Sequence, residues 1–456
     1  MLKRRSLEFP NELNSATNMT KTSSCPSMTR SEREVHVERA PHTNTIVHMG
    51  VGNFFKSHQL SYMNDLVKGG CKDWVVIGLG VLKTDKLTKY KMKKNNYNYN
   101  LLAIDSAGKT CIEYIQVLSD VLNSHENLKE TILFLVQDSV KIVTLTITEV
   151  GYSIQLNQND IELVKRCIGC GDADLKVDDL QNISAFGILI AALGLRFSRN
   201  KDAFTILSCD NLISNGHVTK DKCLREVQGL SDFQNWIHNN VRFPNTMVDR
   251  ITPQLSVNEI KILSKDHLLI DHMPVVCEKY KMWIIEDDFV NGQRPEWDKV
   301  GAKFVQDVRP YELMKVSILN VTHQYIAYIG LNRDFEFVHD VFTNDDLHEM
   351  IRRFIFEDVV PTINDYLKKN QIDCEQFAND VVTRFQNVHM KDKLVRIALD
   401  GLEKFKQHSV KLILSGLEKN FKMSHFRSFV NEMMIYENIT KSHEIFQLLP
   451  PSFFTI

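Results

Sequence analysis

The stretch TNTIVHMGVGNFFKSHQ, residues 43 to 59, constrains the fold more than any other part of the chain. Ile46 and Val47 favour an extended strand, Gly50 and Gly52 follow, and Leu60, Met63, Leu66 and Val67 then recur at helical spacing. Strand, glycine turn, helix is the unit that opens a dinucleotide-binding parallel sheet. Gly50 permits a tight turn, and Gly52 lets the backbone approach a pyrophosphate whose charge the helix N-terminus favours. Phe55 stands where a third glycine is usual, which leaves a short GxG that unrelated chains also carry.

From residue 44 onward, strand and helix patterns alternate. DWVVIGLGV (73–81), VKIVTLTITEVGY (140–152) and FTILSCDNL (204–212) read as strands separated by helical patterns. AFGILIAALGLRF (185–197) falls short of the ~20 residues a membrane span needs and reads as a buried helix. Beyond about residue 305, segments such as DDLHEMIRRFIFEDVVPTINDYL and CEQFANDVVTRFQ carry apolar residues at i, i+3, i+4 and i+7. The expected fold class is therefore α/β. A Rossmann-type dinucleotide-binding domain over 44–300, with a mostly parallel, helix-covered sheet, precedes a mainly α-helical substrate domain over 301–456. Residues 1–43 are rich in Ser, Thr, Asn and charge and are expected to form a disordered tail. Glu8, Glu12, Glu32, Glu34 and Glu38 argue against a transit peptide.

A formal net charge of -2 speaks against a nucleic-acid partner, which favours a basic face. Nine scattered cysteines with no secretory leader imply reduced thiols and a cytoplasmic location. Cys167 and Cys170 form a CxxC without a second pair, so we read them as incidental. Asp271, His272, Cys277 and Glu278 lack metal-ligand spacing, and Val275 and Val276 set them beside a strand; their expected role is structural. No metal is expected.

After the second strand comes KTDKLTKYKMKK (83–94). Lys83 and Lys86 suit a ribose 2′-phosphate and Asp85 suits a free ribose hydroxyl, but a solvated helix face is the more common origin of such a segment. NAD is the expected cofactor, with NADP possible.

PYELMKVSILNVTH (310–323) places Lys315, Asn320 and His323 on one helix. Offsets of five and eight residues rotate by about 140° and 80°, so the three share one half of the cylinder. An amine, an amide and an imidazole can serve as base, oxyanion donor and hydroxyl binder, which metal-free alcohol oxidation requires. A lone helical lysine is usually solvated, and Asn211, after a strand, suits a helix cap. Tyr311 and Lys315 also make a YxxxK spacing, but the TGxxxGxG turn of short-chain dehydrogenases is absent.

Five ordered motifs carry a resemblance. GVGNFFKSHQ (50–59), SCDNLISNGH (208–217), VRFPNTMVDRITP (241–253), PVVCEKYKMWIIED (274–287) and PYELMKVSILNVTH resemble the polyol-specific long-chain dehydrogenases, in the mannitol 2-dehydrogenase and fructuronate reductase branch. The similarity runs from about 44 to 404. It implies that Lys315 is the general base, that Asn211 and Asn320 hold the developing alkoxide, and that His323 binds a substrate hydroxyl. Asp249, Arg396 and Lys404 would line the polyol pocket, and Gly50, Gly52 and Phe54 would lie along the dinucleotide. The family is zinc-independent and typically monomeric, so a monomer acting on a small polyol or ketose is expected, without a membrane partner.

A lysine can take a hydroxyl proton only if its pKa falls well below ~10.4, through burial or through nearby cations such as Arg396 and Lys404. Glu312, three residues before Lys315, is a candidate relay for that proton. Three departures touch the outer pocket or the turn. Lys56 replaces an arginine, Leu402 a serine, and Phe405 and Lys406 an aliphatic–proline pair. The expected reaction interconverts D-mannitol and D-fructose. The alternatives are a ketouronate reductase, another hexitol or pentitol dehydrogenase, or a non-catalytic nucleotide or sugar sensor.

Overall fold

The computed structural model describes residues 44–454, apart from 172, 267–270, 272, 441 and 442. The tail expected over 1–43, and His272, lie outside the described residues.

Among the described residues eleven strands form: β1 (Asn44–Met49), β2 (Trp74–Gly80), β3 (Tyr99–Ile104), β4 (Thr110–Ile115), β5 (Leu118–Asn123), β6 (Val140–Leu145), β7 (Thr205–Ser208), β8 (Thr246–Asp249), β9 (Val275–Glu278), β10 (Met282–Glu286) and β11 (Lys303–Val305). The main sheet has the order β5-β2-β1-β6-β7, with every pairing parallel. Its β-branched runs are buried on both faces, as a helix-covered parallel sheet demands. The chain passes from β1 to β2 on one side and returns to β6 on the other. The topological switch point therefore lies at the carboxyl ends of β1 and β6, where such sheets bind ligands.

The remaining strands form two smaller mixed sheets, β4-β3-β9 and β11-β10-β8, in which β3–β4 and β8–β10 are antiparallel. The strand expected over 140–152 is shorter than its sequence suggests: β6 stops at Leu145 and a helix follows at Thr148–Ser153. The Asp210 carboxylate causes the turn, accepting from the amides of Ile147 (3.1 Å) and Thr148 (2.8 Å) and so replacing ladder partners. The helix Ala185–Ser198 is buried almost throughout, as its apolar run predicts.

The second half is helical. Tyr325, Phe354, Phe426 and Phe429 anchor its core, with Phe354 and Phe426 edge-on at 4.7 Å between ring centres. Its helices contain π segments at Lys315–Asn320, Phe354–Val359 and Phe405–Ser409. The first and third border the cleft described next.

Candidate active site

The glycine turn is built around close approach. Gly50 has φ +101, and a Cβ there would sit 2.1 Å from the Thr146 carbonyl oxygen. Gly52 faces open space, with no atom within 4 Å of a Cβ position, so its backbone is accessible at the switch point. The absent third glycine is explained by Phe55, whose ring stacks on His48 at 3.7 Å and 3°. His48 is bonded to Thr144 (2.6 Å) and Thr146 (2.7 Å), and Thr146 Oγ1 donates to the Gly50 carbonyl at 3.0 Å. Burial pushes His48 down to about 3. Phe54 stacks on His58 at 5.0 Å, beside the turn. An accessible backbone at Gly52 over the switch point is the cradle that a dinucleotide pyrophosphate fits.

Beyond β2, the helix Asp85–Lys94 begins at Asp85, whose Oδ2 accepts from the amides of Val81 and Leu82, both at 2.9 Å. These two bonds close the strand–helix turn. Lys83 and Lys86 are exposed there, and Lys86 faces Glu126 at 3.7 Å.

The loop after β7 carries Asp210 and Asn211. Asn215, fully buried, ties it down: its Nδ2 donates to the carbonyls of Ser208, Asp210 and Thr246, and its Oδ1 accepts from the Thr246 amide at 2.9 Å. Opposite stands the helix Arg309–Met314, which runs directly into the π turn at Lys315. Glu312 Oε1 accepts from the Ser214 amide at 2.8 Å, joining this helix to the loop. Lys315 Nζ donates to Asn211 Oδ1 at 2.5 Å. That bond turns the amide oxygen of Asn211 toward the lysine.

A small, open cleft lies here, lined by Asn211, Met247, Glu312, Lys315, Asn320 and His408 among others. The straight-helix geometry expected for Lys315 and Asn320 is corrected by the π turn. Its i→i+5 bonding sets residue 320 nearly above residue 315, so both amide and amine reach one cleft. Burial lowers the Lys315 pKa below its ordinary value; Asp249 and Glu312 oppose the shift and Arg384 assists it. Burial raises Glu312 to about 7, and its Oε2 is buried without a hydrogen-bond partner.

The remaining expected site residues form a second group. His323 is mostly covered and packs on Phe385, with Nε2 3.6 Å from Asp392, and desolvation lowers it to about 4. Arg396 grips the same Asp392 at 2.6 Å, and Lys404 donates to the Leu399 carbonyl at 2.7 Å. Neither cation is the one Lys315 faces, contrary to the expectation from sequence; Asp392 and a backbone carbonyl hold them elsewhere, and Arg384 fills that role. Asp249 is also engaged, by both terminal nitrogens of Arg384 at 2.8 and 2.9 Å. Its sequence neighbour Arg250 instead donates to the carbonyls of Ser57 and Glu278.

Residues 44–299 match the mannitol dehydrogenase Rossmann domain and residues 307–446 the mannitol dehydrogenase C-terminal domain. The chain belongs to the mannitol dehydrogenase family. The polyol:NADP oxidoreductase of Gluconobacter oxydans is 32% identical over 376 residues, 82% of this chain and 76% of that one. The D-mannonate oxidoreductase of Escherichia coli is 32% identical over 398 residues, 86% of this chain and 79% of the relative. The Pseudomonas fluorescens mannitol 2-dehydrogenase, solved as a ternary complex with NAD and D-mannitol, superposes with a TM-score of 0.73 at 31% identity, covering 87% of this chain and 82% of that one. As a mannitol dehydrogenase family member the chain is an NAD(P)-dependent oxidoreductase with a Rossmann domain.

Among the described residues no three His, Cys, Asp or Glu side chains converge as a metal site requires, and no helix is long and apolar enough to cross a membrane. Asp271 serves the fold, accepting from Asn95, the Asn100 amide and the Met273 amide at 2.6–2.8 Å. Cys167 is buried, and burial pushes its thiol up to about 12. Tyr311 meets Lys303, so its YxxxK spacing joins no shared site with Lys315. Sequence reasoning missed Asn215, Arg384, Asp392 and His408. Asn215 lay inside a quoted motif and Arg384 inside a quoted helical segment, neither singled out; Asp392 and His408 marked no motif.

Proposed function

We propose that this mannitol dehydrogenase family member interconverts a hexitol and its ketose, with D-mannitol and D-fructose as the reference pair, and that Lys315 is the general base. One observation carries the reading: a buried lysine, lowered in pKa by its burial, bonded to Asn211 within a cleft that Asn320 also lines. The neutral amine takes the hydroxyl proton as hydride leaves the adjacent carbon. The NH₂ groups of Asn211 and Asn320 donate to the oxygen as its charge grows. Glu312, at the far side of Lys315, carries the proton on toward solvent. His323, Asp249, Arg396 and Lys404 bind the outer hydroxyls. Gly50, Gly52, Phe54 and Asp85 hold the dinucleotide, which when bound accepts or supplies the hydride.

A second reading is favoured by His408. Lys315, Lys404 and Lys411 all bear on its ring and help lower it to about 4, after burial. Lys404 and Lys411, whose charges reach this cleft-lining ring, suit a carboxylate, so a ketouronate such as fructuronate is the alternative substrate. A panel of fructose, fructuronate, arabinitol and sorbitol, each followed by nicotinamide absorbance with both cofactors, ranks the readings. Turnover of fructose that Lys315→Ala abolishes supports the first. Preference for fructuronate supports the second. No turnover on any member supports a sensor and sinks both. We also propose that the chain acts as a monomer in the cytoplasm, which light scattering and cell fractionation test.

A further inference from the structure

One buried charge cluster holds two residues, Arg384 and Glu278, that the reaction just described does not use. Arg384, on the helix Cys374–Phe385, reaches across to the strands of the Rossmann half. It donates to Asp249 on β8 twice, at 2.8 and 2.9 Å, and to Glu278 on β9 twice, at 2.9 and 2.7 Å. The three side chains are 7%, 5% and 4% exposed. The Tyr280 ring covers the guanidinium at 4.1 Å. Glu278 is further fixed by the Ile251 amide at 2.5 Å. Arg250 donates from the next position to the Ser57 carbonyl, in the short helix that follows the glycine turn.

Stability does not account for such an arrangement, because apolar residues of similar volume commonly replace a buried ion triad without loss. Its place in the molecule does. Asp249 and Arg384 are the groups whose charges bear most on Lys315 after burial, and they pull in opposite directions. Glu312 on the preceding helix also faces Lys315, and His408 faces it from the third π segment. Burial alone would raise Asp249, but Arg384 holds its carboxyl below the usual range.

We propose that Arg384 is a positioning residue for the catalytic lysine: a guanidinium from the helical half that pairs with Asp249 and Glu278, offsets part of their charge and so sets the field Lys315 faces. The proposal rests on the reading of Lys315 as base. It makes the seating of the helical half against β8 and β9 a condition for an active amine. When Arg384 is in place, the Asp249 carboxylate is compensated and does not trap Lys315 as an ammonium. Without it, two uncompensated carboxylates near the cleft favour the protonated lysine.

The test reads the titration of Lys315 directly. The full-length protein is trace-labelled with acetic anhydride across a pH series, and modification of Lys315 is quantified by mass spectrometry. Lys56, a buried lysine facing Asp271 and Lys91 instead, is the internal control. Arg384→Gln is expected to move the Lys315 midpoint to higher pH and to cut its labelling near neutrality several-fold. Asp249→Asn is expected to move it to lower pH. Arg384→Lys, which keeps the charge but loses the fork, is expected to leave the midpoint near wild type while lowering Tm. Unmoved midpoints in both Arg384→Gln and Asp249→Asn overturn the proposal and leave Arg384 as a clamp between the two halves. If Arg384→Gln does not fold, the different demands on Asp249→Asn, a lowered midpoint, and on Arg384→Lys, an unmoved one, still decide. Labelling needs no turnover. Retained activity in Lys315→Met therefore counts against the base assignment alone.

Discussion

The Nζ of Lys315 and the Oδ1 of Asn211 meet at 2.5 Å across 104 residues of sequence, one from the helical half and one from the loop after β7. The proposed base and its amide partner therefore meet only because the two halves pack together. Lys315→Met removes the proposed base, and kcat is expected to fall by ~10²–10⁴ with KM much less affected. Asn211→Ala removes one proposed donor to the alkoxide and is expected to cost ~10²-fold in kcat. Steady-state kinetics on whichever substrate the panel selects check both. A Lys315→Met protein with wild-type kcat would place the base elsewhere.

Glu312 should leave two pH signatures. Raised by burial from 4.5 to about 7, it is a carboxylate able to receive a proton only above that region. Alcohol oxidation in the wild type is expected to rise through a limb near pH 7, and Glu312→Gln to lose that limb. An unchanged profile would remove Glu312 from the proton path. Stability supplies the second signature. The folded pKa lies above the unfolded one, so the group stabilises the fold below pH 4.5, and that contribution is lost as pH rises through about 7. Glu312→Gln, which keeps an acceptor for Ser214, is therefore expected to be more stable than wild type above pH 7, by on the order of 1–3 kcal/mol in urea unfolding.

The two glycines of the turn should fail differently. Gly50→Ala forces a Cβ to within 2.1 Å of the Thr146 carbonyl at φ +101, so β1 and β6 must separate and soluble folded protein is expected to drop sharply. Gly52→Ala meets no atom within 4 Å, so the fold is expected to persist with wild-type Tm. The added methyl instead occupies the space offered to a pyrophosphate. Weaker cofactor binding is expected, by tenfold or more, as read by titration of protein fluorescence with NADH. Equal binding in both forms would move the dinucleotide away from Gly52.

What was legible in the sequence was whatever sits in short strings. The turn at Gly50 and Gly52 is local backbone geometry, and the helix at Lys315 is local periodicity, so both could be read from adjacent residues. Arg384 could not. Its partners lie 135 and 106 residues away, and an arginine among apolar residues at helical spacing ordinarily marks a solvated edge. The end of β6 was hidden for a related reason. VKIVTLTITEV favours extension throughout, and only a carboxylate 63 residues downstream, Asp210, draws the Ile147 amide out of the ladder. The π turn at Lys315–Asn320 escaped because an apolar stripe tolerates one extra residue per turn without losing its face. His323 and Arg396 were both named from sequence, yet the Asp392 that gathers them was not, since one acid between helices carries no pattern.

The buried histidines predict how the fold meets acid. Burial lowers His48 and His58 to about 3, and His323 and His408 to about 4, against 6.5 in the unfolded chain. Each group is neutral in the fold where the unfolded chain binds a proton, so its contribution is present above pH 6.5 and is lost as pH falls toward the folded value. Each adds at most roughly 1.4 kcal/mol per pH unit to the slope of stability across that window. His48 isolates one such group, because its ring is held by Thr144, Thr146 and Phe55 and lies under the glycine turn. His48→Gln can retain the threonine bonds but cannot titrate. Its stability at pH 7 is expected to be lower, since the stack on Phe55 is lost, while the fall between pH 6.5 and 4.5 becomes shallower by about one proton. Urea unfolding at several pH values measures the difference between the two slopes, in which the carboxylates common to both proteins cancel. Parallel slopes would mean that His48 opens to protonation before the fold does, and that the turn it supports is looser than its packing implies.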